Sequence, residues 1–245
     1  MNFLLLKNIC GTMIIEKPAL TGRDSRKGGT YMAKTGMVIT IGRQYGSGGR
    51  EIGRKLASKL EIPYYDKELL SEAAKDSGIC EELFENHDEK PTRSYLFSLV
   101  TGIQPHGTVA TSPLDMPLNH RIFLAQFDTI RRIAGEGPCV VVGRCADYVL
   151  RDQKNVLRVF LKADMEHRKA RALERGADPM KVEDFVRKQD KQRAAYYNYY
   201  ATTNWGDINN YDLSVDTGLL GYDGTVELLM SYIKIREAAL GANKA

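Results

Sequence analysis

The sequence predicts an α/β fold, a parallel β-sheet covered by helices on both faces. Three observations lead there. Short β-branched runs alternate along the chain with segments of helical period. The runs read as apolar on both faces, most plainly at Cys139 to Val142, as strands are when both faces are buried. Glycine is concentrated at one strand-to-helix junction, where Gly42 to Gly49 hold four glycines in eight positions. Crossovers between such strands are right-handed.

Met37 to Ile41 (MVITI) reads as the first buried strand, followed by the glycine-rich turn. Glu51 to Leu60 then places Ile52, Leu56 and Leu60 on one helical face. Pro63 to Tyr65 reads as a second short strand ending at Asp66, and Lys67 to Lys75 as a helix. Asp76 to Asn119 is polar, rich in Pro, Gly, Thr and Ser, and aperiodic. A stretch that long is unusual inside a domain and is usually functional, so it reads as an inserted, mobile substrate-binding segment. Cys139 to Val142 and Val156 to Leu161 read as two more strands. Asp164 to Arg175 and Val182 to Tyr199 read as charged helices, Tyr211 to Val215 as a last strand and Thr225 to Leu240 as a last helix.

Residues 1–36 differ in composition from the rest. Asn2 to Cys10 lacks the basic flank and the small-residue cleavage site of a signal peptide. Gly22 to Tyr31 reads as a disordered linker. A second reading is that translation starts at Met32, because Lys27-Gly28-Gly29 can be encoded by a purine-rich ribosome-binding sequence. Either way the folded domain is expected over 37–245.

Composition excludes several classes. With 43% hydrophobic and 27% charged residues the chain is not mainly disordered. No apolar run approaches the roughly 18 residues of a membrane span. The four cysteines, at 10, 80, 139 and 145, have no CxxC spacing, which argues against a disulfide scaffold or a zinc site and for a reducing cytoplasm. A net charge of +4 is too mild to indicate nucleic acid.

The glycine loop carries the chemistry. Between a strand and a helix, backbone N–H groups and the helix N-terminus can cradle phosphate. A plain glycine-rich βα turn is the other reading of the loop alone. Relative to the pattern GxxxxGK[ST], Gly49 stands at the lysine, Arg50 follows, and Glu51 lies near the magnesium-holding hydroxyl.

Val38 to Gly53 (VITIGRQYGSGGREIG) resembles the opening of the cytidylate kinase-like family, a branch of the P-loop nucleoside monophosphate kinases. The likeness continues in Ile62 to Leu70, Gly137 to Leu150, Gln189 to Tyr200, Asn204 to Asp207 and Tyr211 to Leu213. The resemblance implies a three-layer fold with a five-stranded parallel sheet, a monophosphate-binding insertion over about 67–135 and a lid over about 168–200. It implies ATP as donor, with Mg2+ carried by the nucleotide, and a nucleoside monophosphate, CMP or dCMP, as acceptor. Arg43, Gly46, Ser47, Gly48, Gly49, Arg50 and Glu51 would hold the donor phosphates. Asp66, Arg144, Asp190 and Arg193 would bind the acceptor, with Arg50, Arg144 and Arg193 acting on the transferring group. No nucleic acid, membrane or protein-held metal is implied.

These residue types suit phosphoryl transfer, which needs two polyanions held in line and their charge neutralised. Arginine binds phosphate oxygens bidentately and stays charged. Three departures from the family pattern stand out. The loop lysine is absent, the aspartate before Gly143-Arg144 is Val142, and the one after is Cys145. Arg50 is the nearest cation in sequence to the missing lysine, and folds back over the loop or points to solvent. The alternatives to a nucleoside monophosphate kinase are an inactive, nucleotide-binding regulatory protein and a kinase for another small acceptor. Tyr196, Tyr197, Tyr199 and Tyr200 read as packing, and Asp190 with Arg193 could be a simple surface pair.

Overall fold

The computed structural model describes residues 35–66 and 118–242. Its strands are β1 (Val38–Arg43), β2 (Tyr64–Tyr65), β3 (Val140–Val142), β4 (Val156–Lys162) and β5 (Leu213–Asp216). Its helices are α1 (Gly49–Leu60), α2 (Leu118–Glu136), α3 (Ala146–Val149), α4 (Met165–Glu174), α5 (Val182–Tyr200) and α6 (Thr217–Ala242). The strands form one parallel sheet in the order β2-β3-β1-β4-β5. In register, Ile39 lies beside Val140 on one side and Leu157 on the other.

Every residue of β1 and β3 is buried, which is why those runs carry no polar alternation. On one face Ile39, Ile41, Val140 and Leu157 pack against Ile52 and Leu56 of α1 and Val226 and Leu229 of α6. Fully burying one such side chain stabilises by roughly 1.5–3 kcal/mol. On the other face Val38, Val141 and Val156 pack against Ile130 and Ile133 of α2 and Val149 of α3. Sheet and two helical faces make the expected three layers.

Several boundaries move. Residues 118–135 were expected inside the insertion, yet they belong to α2, a core helix; Ile122, Ile130 and Ile133 recur at helical spacing and are buried. α6 begins at Thr217 rather than Thr225, with a break at Gly221, whose φ of 65° and ψ of 178° are not helical. Thr35 is buried and its hydroxyl donates to Glu237 Oε1 at 2.6 Å, so the last residues of the expected tail join the domain. The rest of that tail, the helix expected over 67–75 and the segment 76–117 lie outside the described residues.

The order of strands places a topological switch point between β1 and β3. Connections leave these neighbours in opposite directions, and a crevice opens at their carboxyl ends, where ligands bind in open α/β sheets.

Candidate functional site

β1 ends at Arg43, the glycine loop follows, and α1 starts at Gly49. Gly46 (φ 82°) and Gly48 (φ 78°) are left-handed, which side chains other than glycine resist. Space forbids a side chain as well. A Cβ on Gly46 would lie 2.7 Å from the Arg168 carbonyl oxygen, and one on Gly48 would lie 2.6 Å from Tyr222 Cζ. Gly48 caps α1 without a side-chain hydrogen bond. The first amides of the helix have no acceptor within it, so they are available to an anion.

The loop is braced from within and from below. The buried Ser47 hydroxyl donates to the Gln44 carbonyl at 2.9 Å, and the Ser47 carbonyl accepts from Thr217 Oγ1 at 2.9 Å. Gln44 Oε1 accepts the Ala163 amide at 3.2 Å. The Ser47 hydroxyl holds the turn, so the phosphate contact expected of this residue would fall to its amide.

The end of β3 is unusual. Gly143, Arg144 and Cys145 run through left-handed φ values of 81°, 58° and 54°. The two that are not glycine each cost about 1–2 kcal/mol. This turn starts α3 and puts Arg144, only 3% exposed, in the wall of the crevice. Cys145 is a small buried residue packed with Tyr196 and Tyr197. Asp147 accepts from the Tyr197 hydroxyl at 2.7 Å, and burial pushes both the carboxyl and the phenol above their usual values.

α4 and α5 lie over the loop, in the region expected to be the lid. Asp190 accepts the Tyr45 amide at 2.7 Å and pairs with Arg168. Burial raises the Asp190 carboxyl, an effect the Tyr45 amide and Arg168 partly offset. Arg193 Nη1 donates to the Arg43 carbonyl at 3.2 Å, and its guanidinium lies 5.5 Å from the centre of the Tyr45 ring. Asp190 and Arg193 therefore both reach the glycine loop, which a surface pair would not. Tyr45 meets Phe185 of α5 edge to face at 5.3 Å. Glu51 accepts from Arg171 at 2.6 Å and from Arg175. Burial alone would raise its pKa; its own amide and the two arginines outweigh that and hold it below the ordinary value.

Arg50 neither folds back over the loop nor points to open solvent. Its Nε lies 2.5 Å from Oδ2 of Asp66, which is 1% exposed. Helix geometry aims position 50 toward the end of β2, so the cation nearest in sequence to the missing lysine is engaged elsewhere.

One cleft gathers the remaining site residues. Arg43, Arg144 and Arg193 line it with Tyr196, Trp205, Tyr211 and one carboxylate, Asp147, which is tied to the Tyr197 hydroxyl. Three guanidinium groups around one opening are suited to a polyanion. The tyrosines on α5 otherwise pack, as expected, with Tyr200 stacked on Phe123 at 3.8 Å. Tyr45, Trp205, Tyr211 and the lid contact of Arg168 have no local sequence signal. Trp205 and Tyr211 reach the cleft from the loop before β5, Arg168 comes from α4, and Tyr45 lies in the glycine loop itself, where α5 crosses it.

The model of the cytidylate kinase-like family matches residues 38–219. A cytidylate kinase from Methanopyrus kandleri is 24% identical over 213 residues, spanning 82% of this chain and 95% of that protein. An uncharacterized protein of Eubacterium ventriosum has a similar crystal structure, with a TM-score of 0.61 and 30% identity over 81% of this chain and 98% of that one. A gluconokinase from Sinorhizobium meliloti shares the fold, with a TM-score of 0.50 and 14% identity over 86% of this chain and 99% of that one.

Proposed function

The chain belongs to the cytidylate kinase-like family, and on that premise we propose that it transfers the γ-phosphoryl group of ATP to a nucleoside monophosphate, CMP or dCMP. At the coarser level the chain is a phosphotransferase of the nucleotide-kinase type. The observation that carries the finer reading is the cleft at the β1–β3 edge, where Arg43, Arg144 and Arg193 converge beside a glycine loop. Its likeness to the M. kandleri cytidylate kinase supports a cytidine acceptor.

In this reading the amides of Gly46 to Arg50 take the donor phosphates, and magnesium enters as part of MgATP. Arg144 grips the acceptor phosphate and Asp66, at the end of β2, faces the acceptor nucleoside with Arg50 held beside it. Arg193 approaches from the lid and meets charge that develops on the transferring group. Glu51, Asp190 and Arg168 hold the lid to the loop, and a closed lid excludes water that would otherwise hydrolyse ATP. Among the described residues no three His, Cys, Asp or Glu side chains cluster. None of their helices is long and apolar enough to cross a membrane. We place the protein in the cytoplasm, which the buried free thiols of Cys139 and Cys145 support.

The test is a panel of nucleoside monophosphates with MgATP, scored for diphosphate product. CMP or dCMP should give the highest kcat/KM. Turnover on a different small acceptor would overturn the substrate assignment. Binding of ATP with transfer to no acceptor would make the protein a nucleotide-binding regulator.

A further inference from the structure

The loop of this chain has Gly49 where the general P-loop pattern places a lysine, and the structure shows what occupies the space. Arg43 leaves the last position of β1 and its side chain crosses Gly49. A Cβ on Gly49 would lie 2.9 Å from Arg43 Cγ and 3.0 Å from its Cβ. The side chain then runs to the end of β3. A Cβ on Gly143 would lie 2.9 Å from Arg43 Cζ and would collide with Nη1. No side chain fits at either glycine while Arg43 takes this path. Arg43 is only 6% exposed, and it lines the same cleft as Arg144 and Arg193.

We infer that Arg43 supplies the cation that a loop lysine would bring to the donor phosphates, and that Gly49 is glycine because the Arg43 side chain passes over it. The inference rests on the kinase reading above and names the residue that completes its phosphate site. A side chain at 49 does not fit beside Arg43 on its present path, so the space a loop lysine would leave through is taken by the Arg43 stem. Arg50, adjacent in sequence, is spoken for by Asp66. Arg43 is also coupled to the lid, because its carbonyl accepts from Arg193. Lid position and the two arginines are thereby linked at one residue. A guanidinium in a low-dielectric cleft acts on phosphate far more strongly than one in water. Its planar fork also fixes the direction of two oxygens, which an ammonium cannot do.

The experiment measures binding of MgATP and of adenosine to the full chain by titration calorimetry. The variants are Arg43→Gln, Arg43→Lys and the double Arg43→Ala/Gly49→Lys, each checked for folding by circular dichroism. Arg43→Gln keeps most of the side-chain volume and removes the charge. It should weaken MgATP about 10- to 100-fold, the worth of one charge-assisted contact, while adenosine binding changes little. Arg43→Lys should fall between Arg43→Gln and wild type. The double variant, which restores the common arrangement, should bind MgATP more tightly than Arg43→Gln. Equal MgATP affinity for Arg43→Gln and wild type overturns the inference alone. So does a parallel loss of adenosine and MgATP affinity, which marks a merely structural role. A wild-type chain that binds no MgATP overturns the inference and the kinase reading together.

Discussion

The floor of the site and the lid above it are held by different forces. The floor is the carboxyl edge of β1 and β3 with the glycine loop. It is fixed by fully buried aliphatic contacts and by glycines whose missing side chains are filled by Arg168, Tyr222 and Arg43. The lid, α4 and α5, has its own small core of Ala172, Val182 and Val186. It meets the floor through Tyr45, whose amide Asp190 accepts, through the Arg168 backbone against Gly46, and through the Glu51 pairs with Arg171 and Arg175. Packing is short-ranged and unforgiving, so the floor has one arrangement. Ion pairs at a partly exposed seam are weaker and sensitive to pH and salt. The difference fits a rigid phosphate seat under a helix pair that can part from it.

The largest effect should come from the floor. Gly48→Ala adds a side chain at φ 78° against the Tyr222 ring. It should destabilise by about 3 kcal/mol or more, read by urea unfolding, and should abolish MgATP binding. A loss below about 1 kcal/mol would show that the loop and α6 adjust easily, and the contrast with the lid would weaken.

Arg144→Ala comes next, and it sharpens the assignment within the floor. Loss of a bidentate phosphate contact should raise the acceptor KM by roughly 10- to 150-fold, from about 1.5–3 kcal/mol per charge-assisted bond. The ATP KM should move far less. Equal shifts in both would sink the role given to Arg144.

Glu51→Gln probes the lid seam, with an expected loss of about 1 kcal/mol because the pairs are partly exposed. The Glu51 carboxyl is held below its ordinary 4.5 in the folded chain. Its contribution is therefore present above pH 4.5 and is lost as pH falls through the lowered folded value. The difference in melting temperature between wild type and Glu51→Gln should be full at pH 7 and close as the solution is acidified. A difference that grows on acidification would contradict the pairing. The smallest effect should be that of Lys55→Ala, which removes an exposed pair with Asp223. It should change stability by less than about 0.5 kcal/mol.

The same contrast separates what was legible in the sequence from what was not. Strands β1 and β3 announce themselves by unbroken β-branched runs, β4 by an apolar run interrupted at Arg158, and α1 by Ile52, Leu56 and Leu60, because packing imposes its period on the residues. The glycine loop was visible from its place between a strand and a helix, whereas Arg144 and the Asp190–Arg193 spacing stood out only through the family resemblance. α2 was hidden because its apolar stripe begins directly after a polar, aperiodic stretch and was absorbed into it. Arg50 was misplaced because nearness in sequence does not fix where a helical side chain points. The path of Arg43 could not be read at all, since it is defined by the empty Cβ positions of two glycines, 94 residues apart in number, that only the fold brings together.

The most direct test of the phosphate seat is a crystal grown with sulfate and without nucleotide. The expected result is one sulfate on the amides between Gly46 and Arg50, with the Arg43 guanidinium against it and Arg50 still on Asp66. An ordered loop with no anion at those amides, or an anion held by Arg50 with Arg43 turned away, would contradict the account.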